Sequence, residues 1–330
     1  MERIKEHIAS LKLAKRQSHL NLCVFPLLAA NEGEADHITL EEALEQGLAE
    51  VTEISRGGSV PELRLVNHGK MPVLVIEGEE LIGAKQNRAV NASFLVAGLS
   101  EVVVPVSCVE QGRWAYASDK FAPGKNIVPV SCRRRGVEEV SESLERGQGF
   151  RTDQGRLWSD VADQAARLGV DSPTGAMRDI FEKQSARLDD YLDAFTLMEG
   201  QTGAVFGLDG QVAGVECLGH AGSFARFFPK LVRSYALDAV DRPQPRKAEA
   251  PPESAKRFLK AVSEAKGAAH ATPGLGESLR LSSSTLSGSA LVLGPRVLHL
   301  SAFRKTARGG QGRVGYARFS RRPGHGVIVY

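Results

Sequence analysis

The 330-residue chain is 42% hydrophobic and 25% charged and carries a net charge of +3, an ordinary globular balance that supports a sizeable core. So small an excess argues against global attraction to nucleic acid or membrane. No apolar run approaches the roughly 20 residues that span a bilayer.

No signal-peptide core follows the mixed start Met1-Glu2-Arg3-Ile4-Lys5. The four cysteines, Cys23, Cys108, Cys132 and Cys217, are far apart and lack the C-x-x-C spacing of a zinc site or disulfide framework. The expectation is a reduced, cytoplasmic protein.

In chain order, Leu20–Leu28 reads as a first strand, ended by Ala29-Ala30-Asn31-Glu32-Gly33. Thr39 and Glu42 fit a capping box, and Leu40, Ala43, Leu44 and Leu48 share one face of a short helix over 40–49. From Val51 to Val109 short strands recur, at Val51–Ile54, Leu63–Val66, Val73–Ile76, Ala89–Val96 and Val102–Val106. Gly or Asn punctuates them and no helical crossover intervenes, so an antiparallel sandwich or barrel-like sheet is expected rather than a parallel one.

Helices return near residue 137. Leu157, Val161, Ala165 and Leu168 repeat at helical spacing, and Ile180, Gln184, Leu188, Leu192 and Phe195 define one long face. Gly203–Leu208 and Gln211–Leu218 then form a hairpin about Asp209-Gly210. Residues 223–240 read as a helix kinked at Pro229, 253–266 as another, and Ser278–Leu286 with Ser289–Ala302 as a hairpin.

The predicted class is therefore α+β: an antiparallel β-sandwich or barrel-like core with a helical insertion and peripheral helices. Residues 1–305 are expected to form one domain, with the insertion at about 137–200 and an exposed linker at about 242–252. From Arg304 onward there are seven Arg or Lys, six Gly and no carboxylate, with Tyr316 and Phe319 interleaved. This is the composition of an Arg-Gly nucleic-acid-binding segment, although a solvated, disordered tail over 306–330 is the weightier reading.

Chemistry-bearing residues concentrate in two blocks, 77–93 and 104–114. Glu77 and Glu79 would share a strand face with Glu80 opposite, and Gly78 would allow a bend. Two such carboxylates can bind a divalent cation or divide acid and base roles. They can equally be solvated partners of Lys85 or Arg88, which would contribute little. Lys85 and Arg88 suit phosphate, and Gln86, Asn87 and Asn91 suit sugar hydroxyls or base edges, though Asn also serves tight turns.

Cys108 and Glu110 share a face. A catalytic thiol would need His68 or His220 as base, whereas a Cys among Val residues is usually a small core residue. Arg113 reads as the partner of Glu110, and Trp114 as core. His220, just before a helix, reads equally as a potential anion site and as part of a helix-capping loop with an incidental imidazole. No P-loop, dinucleotide-binding glycine fingerprint, H-E-x-x-H or G-x-S-x-G occurs.

The run Glu77-Gly78-Glu79-Glu80-Leu81 with Gly83-Ala84-Lys85-Gln86-Asn87-Arg88, followed by Pro105-Val106-Ser107-Cys108-Val109-Glu110-Gln111-Gly112-Arg113-Trp114, resembles the prokaryotic ADP-ribosylglycohydrolase and rhodanese-phosphatase-associated domain family. The resemblance plausibly covers 20–303 and leaves the basic tail outside. It implies an α+β domain acting in the metabolism or removal of ADP-ribose-type nucleotides, without an implied mechanism.

The resulting expectation is a protein that binds, and could hydrolyse, an ADP-ribose-like or other phosphorylated nucleotide. Glu77, Glu79 and Glu110 would position water or a divalent ion. Lys85, Gln86, Asn87, Arg88, Asn91, Cys108, Arg113 and His220 are the ligand-binding candidates. The competing readings are a non-catalytic scaffold module and nucleic-acid contact through the tail.

Overall fold

The computed structural model describes residues 1–29, 35–55, 57–242 and 249–305. The basic tail and most of the proposed linker lie outside the described residues. Among those described are three sheets and eight helices, and the α+β class with a sheet core is as expected. None of these helices is long and apolar enough to cross a membrane.

The largest sheet has nine strands, all paired antiparallel. Leu22–Leu28 pairs with Gln201–Leu208, which turns at Asp209 and Gly210, both at positive φ, into Gln211–Leu218. Side-chain alternation gives this sheet two apolar faces. Val24, Phe206 and Leu218 pack under the helix Ala221–Val240, while Phe25, Val205 and Cys217 pack toward the helices Glu2–Ser10 and Pro252–Ser263. The helix Ala221–Val240 runs through Pro229 as one element.

Six further strands form a curled half-barrel, in the order Phe121–Ile127, Glu79–Gly83, Arg88–Val90, Ser100–Cys108, Glu62–Asn67, Ala49–Glu53. Its outer strands approach each other, and Lys120 Nζ meets Glu50 at 2.6 Å across the gap. Val51, Leu65, Leu81, Val90, Val104 and Phe121 fill the inside. A three-stranded sheet of Ile38–Thr39, Val73–Val75 and Phe94–Val96 joins this unit to the nine-stranded sheet through a bridge from Leu95 to Leu275.

Four boundaries differ from expectation. The apolar run 89–96 is two strands in two sheets, because Asn91 turns aside to the Phe150 carbonyl and Ser93 to His299. The long face 180–195 is two helices, Met177–Lys183 and Ser185–Asp193, separated at Gln184. Residues 277–304 form three strands, since Ser283 Oγ accepts the N–H groups of Thr285 and Leu286 and closes an extra turn. The helix Val130–Glu145 also starts earlier than the spacing suggests.

Candidate functional site

The two polar blocks meet on adjacent strands: Arg88, Ala89 and Val90 lie opposite Cys108, Ser107 and Val106. The hairpin before them turns at Gly83 (φ 127°) and Ala84 (φ 40°). A Cβ on Gly83 would lie 2.4 Å from Ser118 Oγ, so this turn requires glycine. Lys85, Gln86 and Asn87 project from it.

Glu110 is the centre of one assembly. Its carboxylate accepts the Asn87 N–H (3.0 Å), Arg113 Nε (2.9 Å) and Nη2 (2.6 Å), and Thr174 Oγ1 (2.9 Å). Gln86 Nε2 donates to its backbone carbonyl at 2.9 Å. Burial alone would raise the Glu110 pKa, but the bonds from Arg113, Asn87 and Thr174 outweigh it and hold the group below its usual range. So saturated a carboxylate anchors the loop and is poorly placed to exchange protons.

Beside it lies a pair with unmet demands. Arg88 is fully buried; its Nη1 donates to Gln86 Oε1 at 3.0 Å, and its Nη2 stands 3.7 Å from Glu53 Oε1. Arg88 Nε and Nη2 and both Glu53 oxygens have no hydrogen-bond partner among the described residues. Glu53 lines a hollow of about 440 Å³ together with Thr52, Ser55, Tyr116 and Asp119. At its rim the Lys85 ammonium donates to the Gly57 carbonyl (2.7 Å) and sits 5.0 Å and 5.2 Å from the Trp114 and Tyr116 ring centres. Trp114 is 48% and Tyr116 49% exposed, so Trp114 is not a core residue. Because Arg88 lies behind Glu53, it acts on the hollow through that carboxylate.

The three acids of the first block diverge. Gly78, at φ 84°, breaks the strand alternation, so Glu77 and Glu79 do not share a face and form no two-carboxylate cation site. Among the described residues no three His, Cys, Asp or Glu side chains are placed to hold a metal ion. Glu79 turns back to accept the Ile76 N–H (2.9 Å), and burial pushes it up to about 7. Burial likewise raises Glu80, bonded by Asn126, to about 7.

Glu77 enters a buried polar cluster at the nine-stranded sheet. It accepts from Ser289 (2.7 Å) and Ser301, and stands 3.7 Å from Arg133. Burial opposes its ionisation, but Arg133 and Arg280 hold its pKa below the usual value. Arg133 pairs with Glu216, and Ser93 joins His299 at 2.8 Å. A cleft of about 50 Å³ reaches this cluster past Asn91, Ser107 and Thr152. That volume fits a few waters and no nucleotide.

Cys108 donates to the Glu110 carbonyl at 3.2 Å, and burial raises its thiol pKa, opposite to what a nucleophile needs. Neither proposed base serves it: His68 stands near Glu50, and His220 caps the helix Ala221–Val240 by accepting the Gly222 N–H.

Glu53, Tyr116, Arg133, Glu216 and His299 were not singled out by the sequence. One signal existed: Glu53 falls on the buried phase of Ala49–Glu53, and Glu216 on a buried phase of Gln211–Leu218. A charge on the apolar side of a strand requires an explanation.

The comparisons with curated proteins and with solved structures give no match. The family model described as the ARG and Rhodanese-Phosphatase-superfamily-associated Protein domain matches residues 10–303. That match takes in both polar blocks and all three sheets, and the chain belongs to this family.

Proposed function

We propose that this chain binds a phosphorylated, ADP-ribose-like nucleotide in the hollow at the end of the half-barrel. The observation that carries this reading is Glu53, which lines the hollow near Lys85, Trp114 and Tyr116 and, with Arg88 buried behind it, has no hydrogen-bond partner among the described residues for either oxygen. Leaving such atoms unpaired costs about 1–3 kcal/mol each, and a ligand that engages the Glu53 carboxylate would offset that group's share.

The chemistry fits in parts. The hollow, about 440 Å³, falls within the range of roughly 300–1,000 Å³ typical of small-molecule sites. The exposed Trp114 and Tyr116 rings suit a base, and the Lys85 ammonium a phosphate. The Glu53 carboxylate, buried at the hollow's wall with both oxygens unpartnered among the described residues, would accept from a ligand group or water that displaces its cover. The clasped Glu110 favours binding over acid–base chemistry here.

Calorimetric titration of the full chain with ADP-ribose, with and without Mg²⁺, tests the proposal. Saturable binding is expected, weakened at least about tenfold, or 1.4 kcal/mol, by Lys85→Ala while the thermal midpoint is kept. Absence of saturable binding to ADP-ribose, ADP and ribose 5-phosphate alike would reject it.

A further inference from the structure

A second constellation lies away from the half-barrel, where the segment entering Ile38–Thr39 crosses the start of the helix Ala221–Val240. His37, 4% exposed, places Nδ1 3.1 Å from Asp36 Oδ1 and Nε2 3.2 Å from Ser223 Oγ. The other Asp36 oxygen meets Arg296 Nη1 at 2.6 Å. Although burial opposes it, bonding to Arg296 and His37 holds the Asp36 carboxyl below its usual range, so it is ionised at neutral pH.

An ionised Asp36 only accepts, so the Nδ1 contact requires the proton on Nδ1. In the neutral ring Nε2 then carries the lone pair that faces the Ser223 hydroxyl. This is the order of contacts by which an imidazole removes a proton from a serine while a carboxylate orients the ring. A separation of 3.2 Å is the loose geometry common before substrate binds.

The surroundings suit a reaction. Ser223 is in the first turn of a 20-residue helix, at the positive end of its dipole, which favours developing negative charge, although the Gly222 and Phe224 N–H groups are already taken by His220. A hollow of about 460 Å³ is lined by Asp36, His37, Gly219, His220, Leu218 and Val297. Ser223, 6% exposed, does not itself line the hollow and is joined to it through the His37 ring.

We propose that Ser223 is a nucleophile, with His37 as its base and Asp36 as a positioning residue, and that the site hydrolyses a small carboxylic ester. Ser223 Oγ bonds to the carbonyl carbon as its proton passes to His37 Nε2, and the carbonyl electron pair moves onto oxygen. Return of that pair breaks the ester C–O bond, and the leaving alcohol takes the proton from His37. Water then attacks the acyl-serine, giving a proton to His37 that returns to Ser223 Oγ as the acid leaves. The products are an alcohol and a carboxylic acid, with no oxidant or reductant. This site does not depend on the nucleotide reading above.

The test is covalent labelling of the full chain with an alkyl fluorophosphonate, read by intact mass and peptide mapping, alongside p-nitrophenyl acetate turnover. A single adduct on Ser223 is expected, absent in Ser223→Ala. His37→Gln should slow labelling by about 100-fold or more with an unchanged circular dichroism spectrum. Asp36→Asn should slow it less, with partial rescue by Asp36→Glu, which a merely structural contact would not produce. Folded wild-type protein that gives no Ser223 adduct, or equal labelling rates in His37→Gln and wild type, would overturn the proposal.

Discussion

Arg133 and Glu216 meet through two parallel hydrogen bonds, 2.7 Å from Nη1 to Oε1 and 3.0 Å from Nη2 to Oε2, with both side chains buried. Arg133 belongs to the helix Val130–Glu145 and Glu216 to the nine-stranded sheet, while Glu77, from the half-barrel side, stands 3.7 Å from the same guanidinium. One cation thus joins three parts of the fold. Tyr235 adds a bond to Glu216 at 3.1 Å.

Removing one member of a buried ion pair leaves the other uncompensated and costs about 3–5 kcal/mol. Arg133→Met strands two carboxylates, whereas Glu216→Leu leaves Arg133 beside Glu77. Urea denaturation should therefore find Arg133→Met the more damaging of the two. Equal losses, or losses below about 1 kcal/mol as at a solvated pair, would contradict this assignment.

Glu79 predicts a pH effect with a definite sign. Its folded pKa, raised to about 7 from 4.5, means the folded state keeps a proton that the unfolded chain releases. Its contribution is fully present below about pH 4.5 and lost as pH rises toward 7, on the order of 3 kcal/mol. His7 and His299, lowered to about 4 by burial, act oppositely over about pH 4–6.5, so the whole-protein curve mixes both effects. The difference between wild type and Glu79→Gln isolates one group. That difference should shift toward the variant between pH 5 and 8, and a flat difference would refute the assignment.

The capping box at Thr39 is formed in full: Thr39 Oγ1 accepts the Glu42 N–H, and Glu42 Oε2 accepts the Thr39 N–H at 2.9 Å. Thr39→Ala should lower stability by about 1 kcal/mol. Thermal unfolding followed by circular dichroism measures it, with Thr39→Ser, which keeps the capping hydroxyl, expected to avoid most of the loss.

The bridge between the three-stranded and nine-stranded sheets depends on Gly274, where a Cβ would fall 2.2 Å from the Leu95 carbonyl oxygen. Backbone cannot yield as a side-chain tip can, so Gly274→Ala should cost about 1–3 kcal/mol. Hydrogen exchange should show faster opening at Leu275, whose N–H bonds Leu95 O at 2.7 Å.

Local chemistry was legible where it is local. The Thr39–Glu42 cap, the Asp209-Gly210 hairpin and the strand run from Val51 each follow from a few adjacent residues. The two polar blocks could also be read as neighbours, and Arg88 does lie opposite Cys108. What failed was extrapolating alternation across Gly78: a period of two holds only within a continuous strand, and positive φ there sent Glu77 and Glu79 apart. The Ser223–His37 contact spans 186 positions, and no local pattern announces a pair that topology alone brings together.

The nine-stranded sheet has a consequence for biosynthesis. The half-barrel strands come from one contiguous stretch, Ala49 to Ile127, and can close while the ribosome is still adding residues. Leu22–Leu28, made earlier, must wait for its neighbour Gln201–Leu208. Lys12–Leu13 and Gln17–His19 can pair with it at once, but its longest edge contact stays open through most of translation, a non-local pairing of the kind that slows folding and favours aggregation.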